Sequence, residues 1–139
     1  MVGKVIPANK DEREHQNIIR TYCGCLPCIL EGKFDTHATI QHVTEGYRVG
    51  QWAVYGACIW HHLGQTFPDS DFDYMAFHYG PSLFHNKRLY VETYGNERLL
   101  MELQNYMVEQ WRADPWQPYS VPVTVLHNVR SFWVMLLNK

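Results

Sequence analysis

The sequence has no long hydrophobic run. No apolar stretch approaches the roughly 20 residues that a helix needs to cross a bilayer, and the first residues, MVGKVIPANKDEREHQ, lack the apolar core of a signal peptide. Internal repeats and low-complexity tracts are absent as well. We therefore expect a cytoplasmic protein with no membrane partner.

A strong excess of charge of either sign is also missing. The chain has 12 Lys and Arg against 14 Asp and Glu, a formal net charge of −2. Proteins that coat nucleic acid without specificity carry a large positive charge, so any DNA contact must be confined to a local basic patch. The 139 residues, 46% of them hydrophobic, suffice for one domain with its own core. We predict a single domain over residues 1–139.

The hydrophobic pattern predicts an α+β fold that begins with a helix and a hairpin. Residues 8–22 are charged first and apolar later, which is typical of a short surface helix. Residues 36–43, THATIQHV, have the partial alternation and β-branched content of a strand that ends near His42. A glycine-containing loop and the segment WAVYGAC follow, which predicts a returning strand and an antiparallel hairpin.

Helices and a long loop are predicted for the second half of the chain. Residues 65–82 are rich in Pro, Asp, Gly and aromatic side chains, and a loop of that length is commonly functional or mobile. Ser82 can cap a helix that Gly95 ends, and Asn96 can cap a second helix with one apolar face. For the C-terminal extension, residues 115–139, we predict a proline-rich connection, an extended segment and a short apolar end, SFWVMLL. This tail could pair as a strand, pack on the second helix or contact another copy of the chain.

The four cysteines lie at positions 23, 25, 28 and 58. A reducing compartment favours metal binding or catalysis over disulfides. Cys25-x2-Cys28 and Cys58-x2-His61 each have the two-residue gap that lets a tight turn direct two donors at one ion, which predicts a closed, structural Cys3His zinc site. Cys23 could replace Cys25 as a ligand. The alternative is that these cysteines are small buried hydrophobic residues.

Three further histidines are candidates for catalysis. His42 ends the predicted strand, His62 follows the second zinc turn, and His85 lies in the first turn of the helix that Ser82 would cap. Histidine can both deprotonate water near neutral pH and bind a divalent ion. A single histidine is often only a hydrogen-bonded structural residue. On a strand, a turn and a helix together, however, one could activate water while another holds a metal against a phosphate.

A family resemblance is carried by residues 40–64, IQHVTEGYRVGQWAVYGACIWHHLG, and residues 80–100, GPSLFHNKRLYVETYGNERLL. With the CxxC turn, these contain in order a strand ending in His, a C-x-W-H-H-x-G turn and a GPSL-x-H segment. The sequence resembles the phage and prophage recombination enhancement nucleases, the Ref or RecA-dependent nuclease family of HNH endonucleases. The resemblance covers residues 22–112 and leaves out an N-terminal helical arm, residues 1–21, and the C-terminal extension.

The resemblance implies a zinc-stapled ββα-metal core that hydrolyses DNA phosphodiesters. By position, His42 would be the general base, and His62 and His85 would bind a catalytic divalent ion, Mg2+, Mn2+ or Zn2+. DNA would be the substrate and a host RecA filament a partner, in the host cytoplasm if the protein is phage-encoded.

Three arginine and lysine side chains are candidates for phosphate contacts in such a nuclease. Lys87 and Arg88 follow His85 on the predicted helix, and Arg48 lies in the hairpin loop. Arginine and lysine contacts to phosphate position a duplex without reading its sequence. Lys87 and Arg88 could equally be ordinary solvated charges on a helix.

Two glutamines depart from the family pattern. HNH strands often carry Asp or His just before the base, where this chain has Gln41, and the resemblance leads us to expect His in place of Gln51. Amides are weak metal ligands compared with carboxylates and imidazoles. The alternative function is therefore a catalytically weak or inactive zinc-stabilised module that binds DNA or a protein partner. A third option is a small zinc domain whose partner surfaces are the aromatic-rich loop of residues 67–79 and the SFWVMLL tail.

Overall fold

The computed structural model describes residues 6–44 and 50–138. It confirms the mixed α+β class: seven α-helices surround one two-stranded sheet in this part of the chain. In chain order, the elements are α1 Lys10–Ile18, α2 Leu26–Leu30, β1 Thr39–His42, β2 Val54–Ala57, α3 Ile59–Leu63, α4 Phe72–Tyr79, α5 Lys87–Tyr94, α6 Glu97–Ala113 and α7 Val123–Leu137. A short π-helical turn, Ile19–Cys23, continues α1.

The predicted hairpin is confirmed. β1 and β2 are antiparallel, with Thr39 opposite Ala57 and His42 opposite Val54. All four residues of β2 are buried, whereas β1 is half-buried along its length. The hairpin therefore has one strand in the core and one strand near the surface, and His42 lies at the end of the more accessible strand. Arg48, the candidate phosphate contact in the connecting loop, lies outside the described residues.

The π-helical turn packs closely on β2, and this contact determines the position of the hairpin. A Cβ atom at Gly56 would lie 2.6 Å from the carbonyl oxygen of Gly24 and 3.0 Å from Cγ2 of Ile19, so only glycine allows this approach. The Gly56 amide donates to Oε1 of buried Gln104 on α6, at 2.8 Å. The π-helical turn with Gly24 and helix α6 therefore both contact the middle of the inner strand.

The helix boundaries around residues 82–96 are partly as predicted. Gly95 ends α5 with φ of 101°, and the Asn96 side chain accepts the Leu99 amide at 2.9 Å to begin α6. The predicted start at Ser82 is wrong, because the Asn86 side chain caps α5 by accepting the Leu89 amide at 3.1 Å. Ser82 instead accepts the Phe84 amide in a turn. His85 therefore lies in the turn before α5 and not in a helix.

The long loop predicted for residues 65–82 contains a helix. Asp71 caps α4, since its Oδ1 accepts the Tyr74 amide at 2.8 Å. Met75 on α4 is fully buried and packs with the cysteine cluster and Trp60. Aspartate is a strong N-cap residue, and this capping position within an Asp-rich segment is what the loop prediction missed.

The extended C-terminal segment was also a wrong prediction, because residues 123–137 form helix α7, which packs on α6. Val125, Leu126 and Val129 are buried, a spacing that suits one helix face. Burial of that face overrides the strand preference of β-branched residues. Trp133 on α7 donates from its indole nitrogen to the Tyr94 carbonyl at 2.9 Å. None of the helices within residues 6–44 and 50–138 combines the length and apolarity needed to span a bilayer.

Candidate metal centre and active site

A buried Cys3His group lies between α2 and α3. Its four ligand atoms lie within 4.8 Å of one another and come from Cys25, Cys28, Cys58 and His61. The Sγ atoms of Cys28 and Cys58 are 3.8 Å apart, and Nδ1 of His61 is 3.2–3.5 Å from the three sulfurs. Tetrahedral zinc, with Zn–S bonds of about 2.3 Å, requires S–S edges of about 3.8 Å and S–N edges of about 3.5 Å. The donor set therefore fits a tetrahedral metal such as zinc.

Each pair of ligands is held by one turn of backbone. Cys25 is the N-cap of α2, and its sulfur accepts the Cys28 amide at 3.4 Å. Cys58 is the N-cap of α3, and its sulfur accepts the His61 amide at 3.5 Å. The two-residue gap thus places both donors of each pair on the same side of a helix start, where backbone N–H groups stabilise thiolates.

His61 is oriented by its second ring nitrogen. Nε2 lies 2.7 Å from the Tyr79 carbonyl oxygen, which can only accept a hydrogen bond, so Nε2 carries the proton. The lone pair of the neutral ring is then on Nδ1, the atom that faces the sulfurs. An acceptor on the outer nitrogen of a ligating histidine is the usual arrangement at protein metal sites.

The surroundings of the cluster shift the pKa values of two of its thiols in opposite directions. Burial raises the pKa of the Cys25 thiol well above its usual value, whereas hydrogen bonds from Cys25 and Cys28 lower the pKa of Cys58. A divalent cation would favour the thiolate form of all three sulfurs, because thiolates are its ligands.

Cys23, the other candidate for the first zinc arm, lies outside the cluster. Its side chain packs in the main hydrophobic core with Ile19 and Leu26. Burial raises its pKa to about 12, so this thiol stays protonated. Cys25 and not Cys23 therefore belongs to the Cys3His group.

His62, adjacent in sequence to His61, faces β1 instead of the sulfurs. Its Nδ1 lies 2.7 Å from the hydroxyl of Thr39, and that hydroxyl donates its only proton to the Ala57 carbonyl at 2.8 Å. Thr39 must therefore accept from His62 Nδ1–H, which leaves the lone pair on Nε2. Burial, followed by the nearby charge of His42, lowers the pKa of His62. The neutral imidazole is therefore favoured, and it has one nitrogen available as a ligand.

His42 is oriented by a side-chain amide. Its Nε2 lies 2.9 Å from Oε1 of Gln51. The orientation of that amide is determined by its other contacts, because its nitrogen donates to the Ile6 carbonyl at 2.8 Å and its oxygen accepts from Gln16 at 3.0 Å. His42 therefore donates from Nε2, and the lone pair of the neutral ring is on Nδ1.

His85 is exposed and is held against the end of α3. Its Nε2 donates to the Gly64 carbonyl at 2.9 Å, which leaves Nδ1 with the lone pair. The rings of Trp60, Phe72 and Phe84 surround it, with centroids 5.0–5.4 Å away. Gly64 has φ of 72°, and a Cβ atom there would lie 2.5 Å from the His85 Nε2 atom. This contact therefore requires glycine at position 64.

The three histidines do not form a second group like the cysteine cluster. In the described part of the chain, the Cys3His cluster is the one group of three or more Cys, His, Asp or Glu side chains close enough to hold an ion. His62 and His85 as a pair of ligands, completed by water and phosphate, remain a prediction. Lys87 and Arg88 lie exposed at the start of α5, and Arg88 pairs with Glu92 at 3.1 Å. Their role as phosphate contacts likewise remains a prediction.

Glu97 is a buried acid that the sequence patterns did not identify. Its carboxylate accepts from the Gln41 side chain at 3.2 Å, Thr44 at 3.4 Å and Tyr55 at 3.5 Å. Gln41, where the resemblance led us to expect an acid or a histidine, thus joins β1 to the start of α6. Thr39 and Gln51 were missed as well, at least as partners of the histidines, because hydrogen bonds between segments distant in sequence leave no periodic pattern.

Comparison with known families gives one match that covers most of the chain. The family described as recombination enhancement, RecA-dependent nuclease matches residues 8–110. This match includes the hairpin, the Cys3His group, His42, His62 and His85, and it extends through α1. No match was found among curated proteins or among solved structures. The chain therefore belongs to the recombination enhancement, RecA-dependent nuclease family.

Proposed function

We propose that the protein is a metal-dependent DNA endonuclease of the HNH type, in which the Cys3His group holds a structural zinc. Membership of a family named for a nuclease supports an enzyme that acts on nucleic acid. The observation that carries the proposal is the orientation of His42, His62 and His85. Each donates one ring N–H to a nearby oxygen, and each keeps the lone pair of its other nitrogen.

Each histidine has a role that follows from its available nitrogen. His42 Nδ1 takes a proton from water, which makes the water a nucleophile toward phosphorus. His62 Nε2 and His85 Nδ1 are the ligands that the protein offers to Mg2+, Mn2+ or Zn2+. When bound, such an ion polarises the scissile phosphate and stabilises the leaving oxygen. The lowered pKa of His62 supports this role, because only the neutral imidazole binds a metal.

DNA binding would be concentrated near the histidines. Lys87 and Arg88 follow His85 after Asn86 and are exposed, so they would contact phosphates next to the cleaved bond. Arg48, in the hairpin loop outside the described residues, is the third candidate for a phosphate contact. A net charge of −2 does not favour DNA binding elsewhere on the protein. In line with the family description, we propose that the DNA is presented on a host RecA filament, in the host cytoplasm if the protein is phage-encoded.

The test is nicking of supercoiled plasmid with Mg2+, Mn2+ or Zn2+, with and without RecA filaments. His42→Ala should lower the cleavage rate by at least about a hundredfold, because loss of a general base typically costs that much. His127→Ala removes an exposed histidine on α7 and serves as the matched control, which should cleave like wild type. Equal cleavage by wild type and His42→Ala would refute the proposal.

A catalytically weak or inactive DNA-binding or protein-binding module is the second candidate. It is favoured by the use of Gln41 to hold Glu97 and by the lack of a second group of three metal ligands in the described residues. This candidate predicts no cleavage with any of the three metals, while the zinc-loaded protein still retains DNA or a protein partner. DNA retention measured on the same samples separates the two functions.

A further inference from the structure

We propose that Gln51 is a positioning residue for His42. The Ile6 carbonyl and Gln16 on α1 orient the Gln51 side chain and, through it, the imidazole of the base. This inference rests on the proposed function, in which His42 deprotonates water. It extends the reactive site beyond the hairpin to residues that precede the zinc cluster in sequence.

The contact geometry specifies the direction of every hydrogen bond in this network. The Gln51 amide nitrogen donates to the Ile6 carbonyl at 2.8 Å, so its oxygen must be the atom that faces His42 Nε2 at 2.9 Å. The Gln16 amide nitrogen donates to the same oxygen at 3.0 Å and to the Gln51 backbone carbonyl at 2.9 Å. Gln16 therefore holds both the side chain and the backbone of Gln51.

Burial makes this arrangement stable in one orientation. Gln16 lies on α1 with only 8% of its surface exposed, and Gln51 is half-buried. A buried amide that loses its partners is costly, which holds Gln16 in place. Rotation of the Gln51 amide would set its nitrogen against the Gln16 nitrogen and its oxygen against the Ile6 carbonyl oxygen, and both contacts would be repulsive. The Gln51 oxygen is thus a fixed acceptor, supplied by the N-terminal segment, α1 and the hairpin together.

The chemical consequence is the choice of tautomer at His42. If the proton were on Nδ1, the lone pair of Nε2 would face the lone pairs of the Gln51 oxygen at 2.9 Å, which is repulsive. The proton is therefore held on Nε2, and Nδ1 is the atom that accepts a proton from water. The Gln51 amide holds the His42 proton on Nε2 without adding negative charge. A carboxylate at the same place would also stabilise the imidazolium, so the base would release its proton more slowly.

The experiment reads the tautomer directly. Long-range 1H–15N spectra of zinc-loaded, histidine-labelled full-length protein, recorded where His42 is neutral, should show a protonated Nε2 and a bare Nδ1. Gln51→Leu should shift both nitrogens toward averaged values, as in a free imidazole. Gln51→Glu keeps an oxygen acceptor and should restore the Nε2–H form, and Gln117→Leu, an exposed site in the loop before α7, should change nothing.

Cleavage kinetics supply the second readout. Gln51→Leu should lower kcat about tenfold or more with little change in KM, by analogy with the loss of an orienting partner from a metal-ligating histidine. Gln51→Glu should regain part of that loss. If Gln51→Leu does not fold, the wild-type and Gln51→Glu spectra still test the tautomer.

A proton on Nδ1 in wild type, or unchanged His42 spectra in a folded Gln51→Leu protein, would overturn the inference. Failure of the nuclease proposal is a different result. In that case wild type and His42→Ala would cleave equally, while the tautomer of His42 would still follow residue 51.

Discussion

The Cys3His cluster differs from the group His42, His62 and His85 in whether its donor atoms remain accessible to a substrate or an additional ligand. In the cluster, every ligand atom is buried and faces a common centre, and the outer nitrogen of His61 is occupied by a carbonyl. His42, His62 and His85 are half-buried or exposed, and each keeps one ring nitrogen with a lone pair. Closed sites of the first kind are structural, whereas chemistry requires an open position. Adjacent histidines, His61 and His62, thus belong to different regions.

The two regions also depend on the fold in different ways. The cluster joins α2, which precedes the hairpin, to α3, which follows it, so a bound metal would hold the two ends of the hairpin together. Its binding free energy would contribute directly to folding. The histidine region adds no such link, and its side chains are positioned by a hairpin that the cluster already holds.

Loss of the cluster should have the largest effect. Cys58→Ser removes a thiolate, and structural zinc contributes about 10–16 kcal/mol in small zinc domains, more than the stability of a typical domain. We expect loss of the cooperative thermal transition in circular dichroism and loss of bound zinc by elemental analysis. A variant that melts like wild type and retains one zinc per chain would contradict the structural role.

Cys23→Ala is the matched control for this prediction. Cys23 is a buried core thiol outside the cluster, so its truncation should lower stability by only about 1–2 kcal/mol while the zinc content remains that of wild type. If the Cys23 and Cys58 variants had the same stability and the same zinc content, Cys58 would not act as a ligand distinct from a core cysteine.

A smaller effect, confined to the histidine region, is expected for Gly64→Ala. Gly64 and Gly32 both have positive φ, 72° and 82°, but a Cβ atom at Gly64 would meet His85, whereas one at Gly32 would meet nothing within 4 Å. Both Gly64→Ala and Gly32→Ala should therefore lower the free energy of unfolding by roughly 1–2 kcal/mol, because alanine is strained at positive φ. Only Gly64→Ala should displace His85, with a fall in cleavage of about tenfold to a hundredfold. Equal cleavage by both variants would show that the position of His85 is unimportant.

The smallest effect is the pH dependence of stability. Because the folded state lowers the pKa of His62, the unfolded chain binds a proton there that the folded protein excludes. The His62 contribution to stability is therefore complete above the unfolded value near 6.5 and is lost as pH falls below it toward the lowered folded pKa. In urea unfolding series, His62→Asn should lose less stability than wild type on acidification. His127→Asn should behave like wild type, and a steeper loss in His62→Asn would reverse the sign of the shift.

Local patterns predicted the elements whose signals lie within a few residues. The paired two-residue gaps at Cys25/Cys28 and Cys58/His61 identified the metal group, and the alternation in residues 36–43 predicted the strand that ends at His42. Gly95 and Asn96 predicted the boundary between α5 and α6. Each of these depends on backbone geometry that neighbouring residues set, so the sequence alone was sufficient.

What the sequence by itself determined, then, was the metal group, the hairpin and the family motifs. The tertiary structure decided that residues 123–137 are helical, since burial against α6 outweighed their β-branched content. It also decided the tautomers of His42 and His62, because Gln51 and Thr39 reach them only after distant segments meet. Hydrogen-bond direction depends on which atoms are adjacent in space, and that adjacency exists only in the folded chain.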